Sequence, residues 1–240
     1  MNLGQIATIG LLATACAAQT ADPALAFEVA SIRPSPPDHI GFQSYSPGPG
    51  RYRALAATVR NLISAAYSVR DVQIAGGPKW TETEAYDIEA TAAGRTTHAE
   101  IQTMLQNLLA SRFSVKLHRE TREMNVYDLV LTKRGPTMTA VDKAGFGVSP
   151  GKQPIAGRGG DMRTLASVLS GAVDRIVRDR TGLSGYYDFT LIWRPDDAPP
   201  DDERPFLLTA IQEQLGLRLD PARGPVEVLV IDAVSRLSSN

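Results

Sequence analysis

The sequence predicts an α+β fold made of two tandem duplicated units, each running helix, strand, helix, strand, strand, packed with pseudo-twofold symmetry. Three observations predict it. Apolar residues follow helical spacing in some stretches and strict alternation in others. Proline- and glycine-rich segments separate these stretches. The same letters also return in the same order: Val59-Arg60-Asn61-Leu62 is answered 103 residues later by Met162-Arg163-Thr164-Leu165. Tyr86-Asp87-Ile88 is answered by Tyr187-Asp188-Phe189 at 101 residues, and Val115-Lys116-Leu117 by Leu217-Arg218-Leu219 at 102. Two copies are too few for a solenoid, which needs at least about three.

The elements follow in order. Phe27 to Ile32 reads as a lead-in strand, and Arg33 to Gly50, with five prolines, as loop. Val59, Leu62, Ile63, Ala66 and Tyr67 keep helical spacing. Thr97-x-x-Glu100 is a capping box ahead of Ile101, Met104, Leu105, Leu108 and Leu109, an amphipathic helix. Phe113, Val115 and Leu117 then alternate as one strand, and Tyr127, Leu129 and Leu131 as another. Lys133 to Gly160 reads as a glycine-rich loop. Asp161 is placed to cap a helix through Met162, Leu165, Ala166 and Leu169. Tyr187, Phe189, Leu191 and Trp193 alternate; Pro205 opens a helix that Gly216 can end; Leu217 and Leu219 alternate, and Val226 to Val234 forms a last strand. The resulting boundaries are a leader at 1–18, a first unit at 19–135, a glycine-rich linker at 136–160 and a second unit at 161–240.

The leader predicts export. Ile6 to Ala13 is apolar but shorter than the ~20 residues of a membrane-spanning helix. Small residues at Ala13, Ala15 and Ala17 suit signal cleavage. Cys16 is the one cysteine and falls at the cleavage point, where it is either a lipid-attachment residue or discarded with the leader. The expected location is therefore periplasmic, outer-membrane-anchored or extracellular, with membrane contact only through such an anchor.

Charge excludes more than it identifies. Lys and Arg total 25 against 26 Asp and Glu, so no global field draws the chain to nucleic acid. One cysteine and three histidines disfavour a metal centre, and no cofactor motif is present. His39 sits in the proline-rich loop, His98 beside the helix cap and His118 on a polar strand face. Ser149-x-x-Lys152 has hydrolase letters without the helix start or Lys-Thr-Gly partner such chemistry needs. Gly157-x-Gly159-Gly160 before a helix could cradle an anion, but a lone glycine cluster is a weak signal and a flexible linker between the copies explains it without a ligand. Tyr45, Tyr52, Tyr67 and Trp80 lie among Arg51, Arg53 and Arg70; core tyrosines with snorkelling arginines are the simpler reading.

The candidate catalytic residues are Asp87 and Asp188, two carboxylates at like places in the two units. Brought together, they would suit acid/base work if their environments separated their pKa values. Strand alternation instead turns Tyr86 and Ile88 inward and Asp87 outward, toward a neighbouring arginine or turn amide. Asp179, between Arg178 and Arg180, and Asp232 are read the same way.

Arg178-Asp179-Arg180-Thr181-Gly182-Leu183-Ser184-Gly185-Tyr186-Tyr187-Asp188-Phe189, with Leu215-Gly216-Leu217 and Val230-Ile231-Asp232, resembles a soil-associated family of uncharacterised exported bacterial proteins. Phe27-Glu28-Val29-Ala30-Ser31-Ile32-Arg33-Pro34, Gly77-Pro78-x-Trp80 and Met104-Leu105-Gln106-x-Leu108-Leu109-Ala110-x-Arg112-Phe113 extend the resemblance from residue 27 onward. It implies a domain of unknown function, joined in some relatives to a membrane metallopeptidase of the antibiotic-sensor type. The family commonly has histidine after Val-Ile-Asp, where this chain has Ala233. No site residue is carried over.

The functional expectation is an exported, non-enzymatic binding, sensing or interaction domain whose partner is an envelope protein or a small ligand. The competing expectation is a hydrolase-like envelope enzyme using Asp87 and Asp188 between the units. A purely structural envelope protein is the third.

Overall fold

The computed structural model describes residues 25–237 other than 40, 146, 150–153, 174, 196, 197 and 200. The leader, Cys16 and Lys152 lie outside the described residues. The fold is mixed α+β, with five α-helices and three mostly antiparallel sheets among the described residues. Contacts divide the chain into two compact units: residues up to Glu120 together with those from Leu229 onward, and Thr121–Val228.

The first unit contains β1 (Val29–Pro34), β2 (Gln43–Tyr45), β3 (Arg51–Thr58), α1 (Val59–Tyr67), β4 (Ile74–Gly76), α2 (Trp80–Thr83), β5 (Ala85–Thr91) and α3 (His98–Phe113). An antiparallel sheet of order β1-β5-β3-β2 puts Tyr52, Ala54, Tyr86 and Ile88 on its core face. Leu62 and Ile63 of α1 join Leu105, Leu109 and Phe113 of α3 against them, all essentially fully buried. Full burial of such side chains stabilises by about 1.5–3 kcal/mol each. Tyr86 and Phe113 meet edge to face at 5.2 Å.

Caps define the helix starts. Thr58 Oγ1 accepts the Asn61 amide at 3.2 Å, and Asn61 returns an acceptor to the Thr58 amide at 3.0 Å. Thr97 and Glu100 form the same reciprocal box on α3, as their spacing predicts. Both helices end on a serine in the left-handed region, Ser68 at φ 52° and Ser114 at φ 51°.

The second unit contains β7 (Thr139–Val141), β8 (Gly147–Val148), β9 (Ile155–Gly160), α4 (Met162–Ala172), β10 (Val177–Asp179), β11 (Tyr186–Leu191) and α5 (Leu207–Ala210). A wider turn, Ile211–Leu215, continues α5 until Gly216 at φ 69° ends it. The sheet order is β7-β11-β9-β8, with β11 antiparallel to both neighbours. Met162, Leu165 and Leu169 of α4 pack with Leu191, Leu129 and Leu217 in a second core.

Two long strands, β6 (Lys116–Leu131) and β12 (Leu217–Ala233), carry the chain out of the first unit and back. In the first unit β4 runs parallel to Leu229–Ile231 of β12, and in the second β10 runs parallel to Tyr127–Leu129 of β6.

Several elements differ from the sequence reading. Phe113 closes α3 rather than opening a strand, because its ring is fully buried on the helix's apolar face. The two short strands expected after it are the single β6, and those expected after Gly216 are the single β12, in which Pro221 and Pro225 are exposed. The glycine-rich stretch read as a linker supplies β7, β8 and β9. Three of its strand glycines, Gly157, Gly159 and Gly160, have no room for a side chain: a Cβ at Gly157 would lie 2.2 Å from the Phe189 ring. Glycine there lets the aromatic ring cover the backbone.

Candidate functional site

Two of the sheets, the antiparallel ones, carry a bulge just before a helix, and each of these bulges lies against one of the two candidate carboxylates. Pairing of β3 with β5 shifts register between Ala54 and Ala57, and pairing of β9 with β11 shifts between Tyr187 and Phe189. The extra residue adopts a left-handed backbone: Ala56 at φ 48° in the first unit, Gly159 at φ 60° in the second. Its amide leaves the ladder and needs another acceptor. Asp87 Oδ1 accepts the Ala56 amide at 3.0 Å, and Asp188 Oδ1 accepts the Gly159 amide at 2.6 Å. Two residues further on stand the caps of α1 and α4, Thr58 and Asp161; Asp161 accepts the Thr164 amide at 2.7 Å. Bulge, cap and helix thus form one local device that occurs once in each unit.

The left-handed region costs a non-glycine residue roughly 1–2 kcal/mol. Gly159 avoids that cost; Ala56 does not. Ala56→Gly is therefore expected to stabilise by about 0.5–1 kcal/mol after the added freedom of the unfolded chain is subtracted. A urea-denaturation midpoint measures it.

The first carboxylate has further partners. Ser35 donates its hydroxyl to Asp87 Oδ1 at 2.7 Å, and His39 Nδ1 lies 2.8 Å from Oδ2. Burial alone would raise the Asp87 pKa; the Ala56 amide, Ser35 and His39 outweigh it and hold the carboxyl below its usual range. Serine, histidine and aspartate are all present, yet both other groups bind the aspartate. The serine proton points at a carboxylate oxygen, not at the imidazole, so the three residues do not form a serine–histidine–aspartate relay. In the second unit the residue beside Asp188 on the edge strand is Thr139.

A second cluster lies in the first unit. His118 Nδ1 is 2.8 Å from Asp232 Oδ1, and its Nε2 is 3.6 Å from Glu120. The hydrogen bond that Asp232 accepts from the ring raises the His118 pKa, and Glu120 adds to the shift. A raised folded-state pKa makes the stabilisation complete below about pH 6.5, the unfolded value, and removes it as pH rises through the folded value. The stability difference between wild type and His118→Ala is expected to be largest near pH 5.5 and to vanish in alkali; denaturation series at both pH values measure it.

Other sequence candidates take structural places. Arg178 pairs with Asp128 through two hydrogen bonds of 2.8 and 3.0 Å, across the parallel register that makes them neighbours. Asp179 does serve a turn, accepting from the Thr181 amide and hydroxyl. The aromatic group does not gather into one surface. Tyr52 is in the core, its phenol pushed up to about 12 chiefly by burial, whereas Tyr45 is exposed on β2. Trp80 lies under Arg236, which also binds Glu84. Among the described residues no group of three or more His, Cys, Asp or Glu could hold a metal ion, and no helix is long and apolar enough to cross a membrane. Sequence reasoning missed the partners His39 and Ser35 of Asp87, and Asp232 of His118. Its one available signal was that Ala56 and Gly159 stand 103 residues apart, ahead of the two matched helices.

These features define a mixed α+β protein with two antiparallel sheets of like order, each with a carboxylate-held bulge. The chain belongs to the family described as Protein of unknown function (DUF3738), which matches residues 60–234. No curated protein and no solved structure matches it.

Proposed function

We propose that this chain is an exported binding, sensing or interaction domain of the cell envelope and not an enzyme. One observation carries the reading: both carboxylates that the sequence offers for acid/base work accept hydrogen bonds from bulge amides. A group committed to a backbone amide at 2.6 or 3.0 Å holds structure; it is not poised to exchange protons with a substrate. The apolar leader with its small-residue cleavage pattern supports export, and Cys16 offers a lipid anchor if it is retained. The likeness to exported soil-associated proteins, some joined to sensor metallopeptidases, supports a sensing role over a catalytic one.

The test is co-sedimentation of the mature chain with isolated envelopes from its own cells, beside turnover assays on ester, peptide and glycoside substrates. Saturable binding without turnover is expected. Turnover by wild type that is lost in a folded Asp87→Asn or Asp188→Asn variant would establish the hydrolase instead.

A further inference from the structure

The short strands β4 and β10 occupy like positions, each soon after the first helix of its sequence half, and stand 103 residues apart. The segments they pair with, Leu229–Ile231 and Tyr127–Leu129, stand 102 residues apart. Correspondence along the sequence would therefore let β4 pair with Tyr127–Leu129 and β10 with Leu229–Ile231. The opposite occurs. Ile74, Ala75 and Gly76 of the first half align with Leu229, Val230 and Ile231 of the second, while Val177, Arg178 and Asp179 of the second align with Tyr127, Asp128 and Leu129 of the first. Each of these pairings lies inside one compact unit.

We propose that the chain is a covalently fused, reciprocally strand-exchanged pair of homologous halves, in which each half's short strand has the other half's long strand as its partner. Exchange of an identical element between protomers is a low-cost route to a dimer, and fusing two such protomers end to end leaves this pairing pattern. The exchanged segments are core, not decoration. Ile74, Leu229 and Ile231 are buried in the first unit, and Leu129 and Val177 in the second. Side chains reinforce both exchanges. Arg236 of the second half binds Glu84 of the first at 2.6 Å, His118 of the first binds Asp232 of the second, and Arg178 of the second binds Asp128 of the first. Gly77 makes room for Ile231, whose Cδ1 would lie 2.9 Å from a Cβ there. The covalent link between halves is thus dispensable once folding is complete. A relative consisting of one such half would have to associate with a second copy of itself.

The experiment uses the full chain with Cys16→Ser and a specific protease site inserted between the exposed Lys133 and Arg134. After complete cleavage under native conditions, both halves are expected to elute together at the volume of the uncut protein and to separate only in urea. Adding Ala75→Cys and Val230→Cys, aligned across the parallel register, is expected to let a short bis-maleimide rejoin the cut halves into a species of full-chain mass on a denaturing gel. Ala75→Cys with Asp128→Cys, the unexchanged alternative, should give no bridge. Separation of the halves on native chromatography, or bridging of 75 to 128 in place of 230, would overturn the proposal. Should the insertion fail to fold, the same cysteine pairs in the uncut chain, digested at Lys and Arg after bridging, decide by peptide mass which strand lies beside β4.

Discussion

Leu62→Ala and Leu165→Ala are each expected to destabilise the protein by about 2–5 kcal/mol, which for a chain of this length lowers Tm by roughly 5–15 °C. Both leucines are completely buried, one on α1 against the first sheet and the other on α4 in the second core. Each truncation removes buried methyl groups and leaves a cavity, because close-packed neighbours relax only in part. Leu208, nearly half exposed on α5, is the control. Its replacement by alanine should change stability by no more than about 0.5 kcal/mol. Thermal melts of the three variants test the placement of both helices together.

Asp87→Ala is expected to cost about 2–3 kcal/mol, and Asp188→Ala about 1–3 kcal/mol, since hydrogen bonds to charged groups contribute about 1.5–3 kcal/mol and an abandoned buried donor adds its desolvation cost. The larger figure falls to Asp87 because three partners lose their acceptor: the Ala56 amide, Ser35 and His39. Asparagine keeps an acceptor oxygen for the amide and should cost less than alanine at either site. The Asp87 contribution also has a pH signature. Its folded pKa lies below the ordinary carboxyl value of 3.8. The stabilisation is therefore complete above about pH 4 and is lost as pH falls through the depressed value. Cap amides lower the pKa of Asp161 and Glu100 as well, so their contributions also weaken in acid. Urea denaturation of wild type and Asp87→Ala at pH 6 and pH 2.5 should show a larger difference at the first than at the second.

What was legible in the sequence was whatever repeats locally. Helical spacing placed α1, α3 and α4, and Thr97 and Asp161 announced their caps because a capping bond spans only three residues. Alternation places Tyr86 and Ile88 inside, as found, whereas Asp87, expected on the outer face, is half-buried against the bulge and the Ser35–His39 loop. The glycine-rich strands were not legible. Strand patterns are read from side chains, and β9 hides its core face behind glycines that Phe189 and Val148 cover. β4 and β10, three residues each, are too short to show any period. The site partners were hidden for a different reason: His118 and Asp232 lie 114 residues apart, and Ser35 and Asp87 lie 52 apart. No local rule connects such positions; only the strand pairing that folding creates does.

Amide hydrogen exchange at Ala56 and Gly159 reports whether Asp87 and Asp188 hold the two backbone bulges. In the wild type both amides are expected to exchange slowly despite lying at ladder irregularities, Ala56 losing protection in Asp87→Ala and Gly159 in Asp188→Ala, each without the other. Fast exchange at both amides in the wild type, or protection untouched by either substitution, would contradict that role and return the two carboxylates to the list of groups available for chemistry.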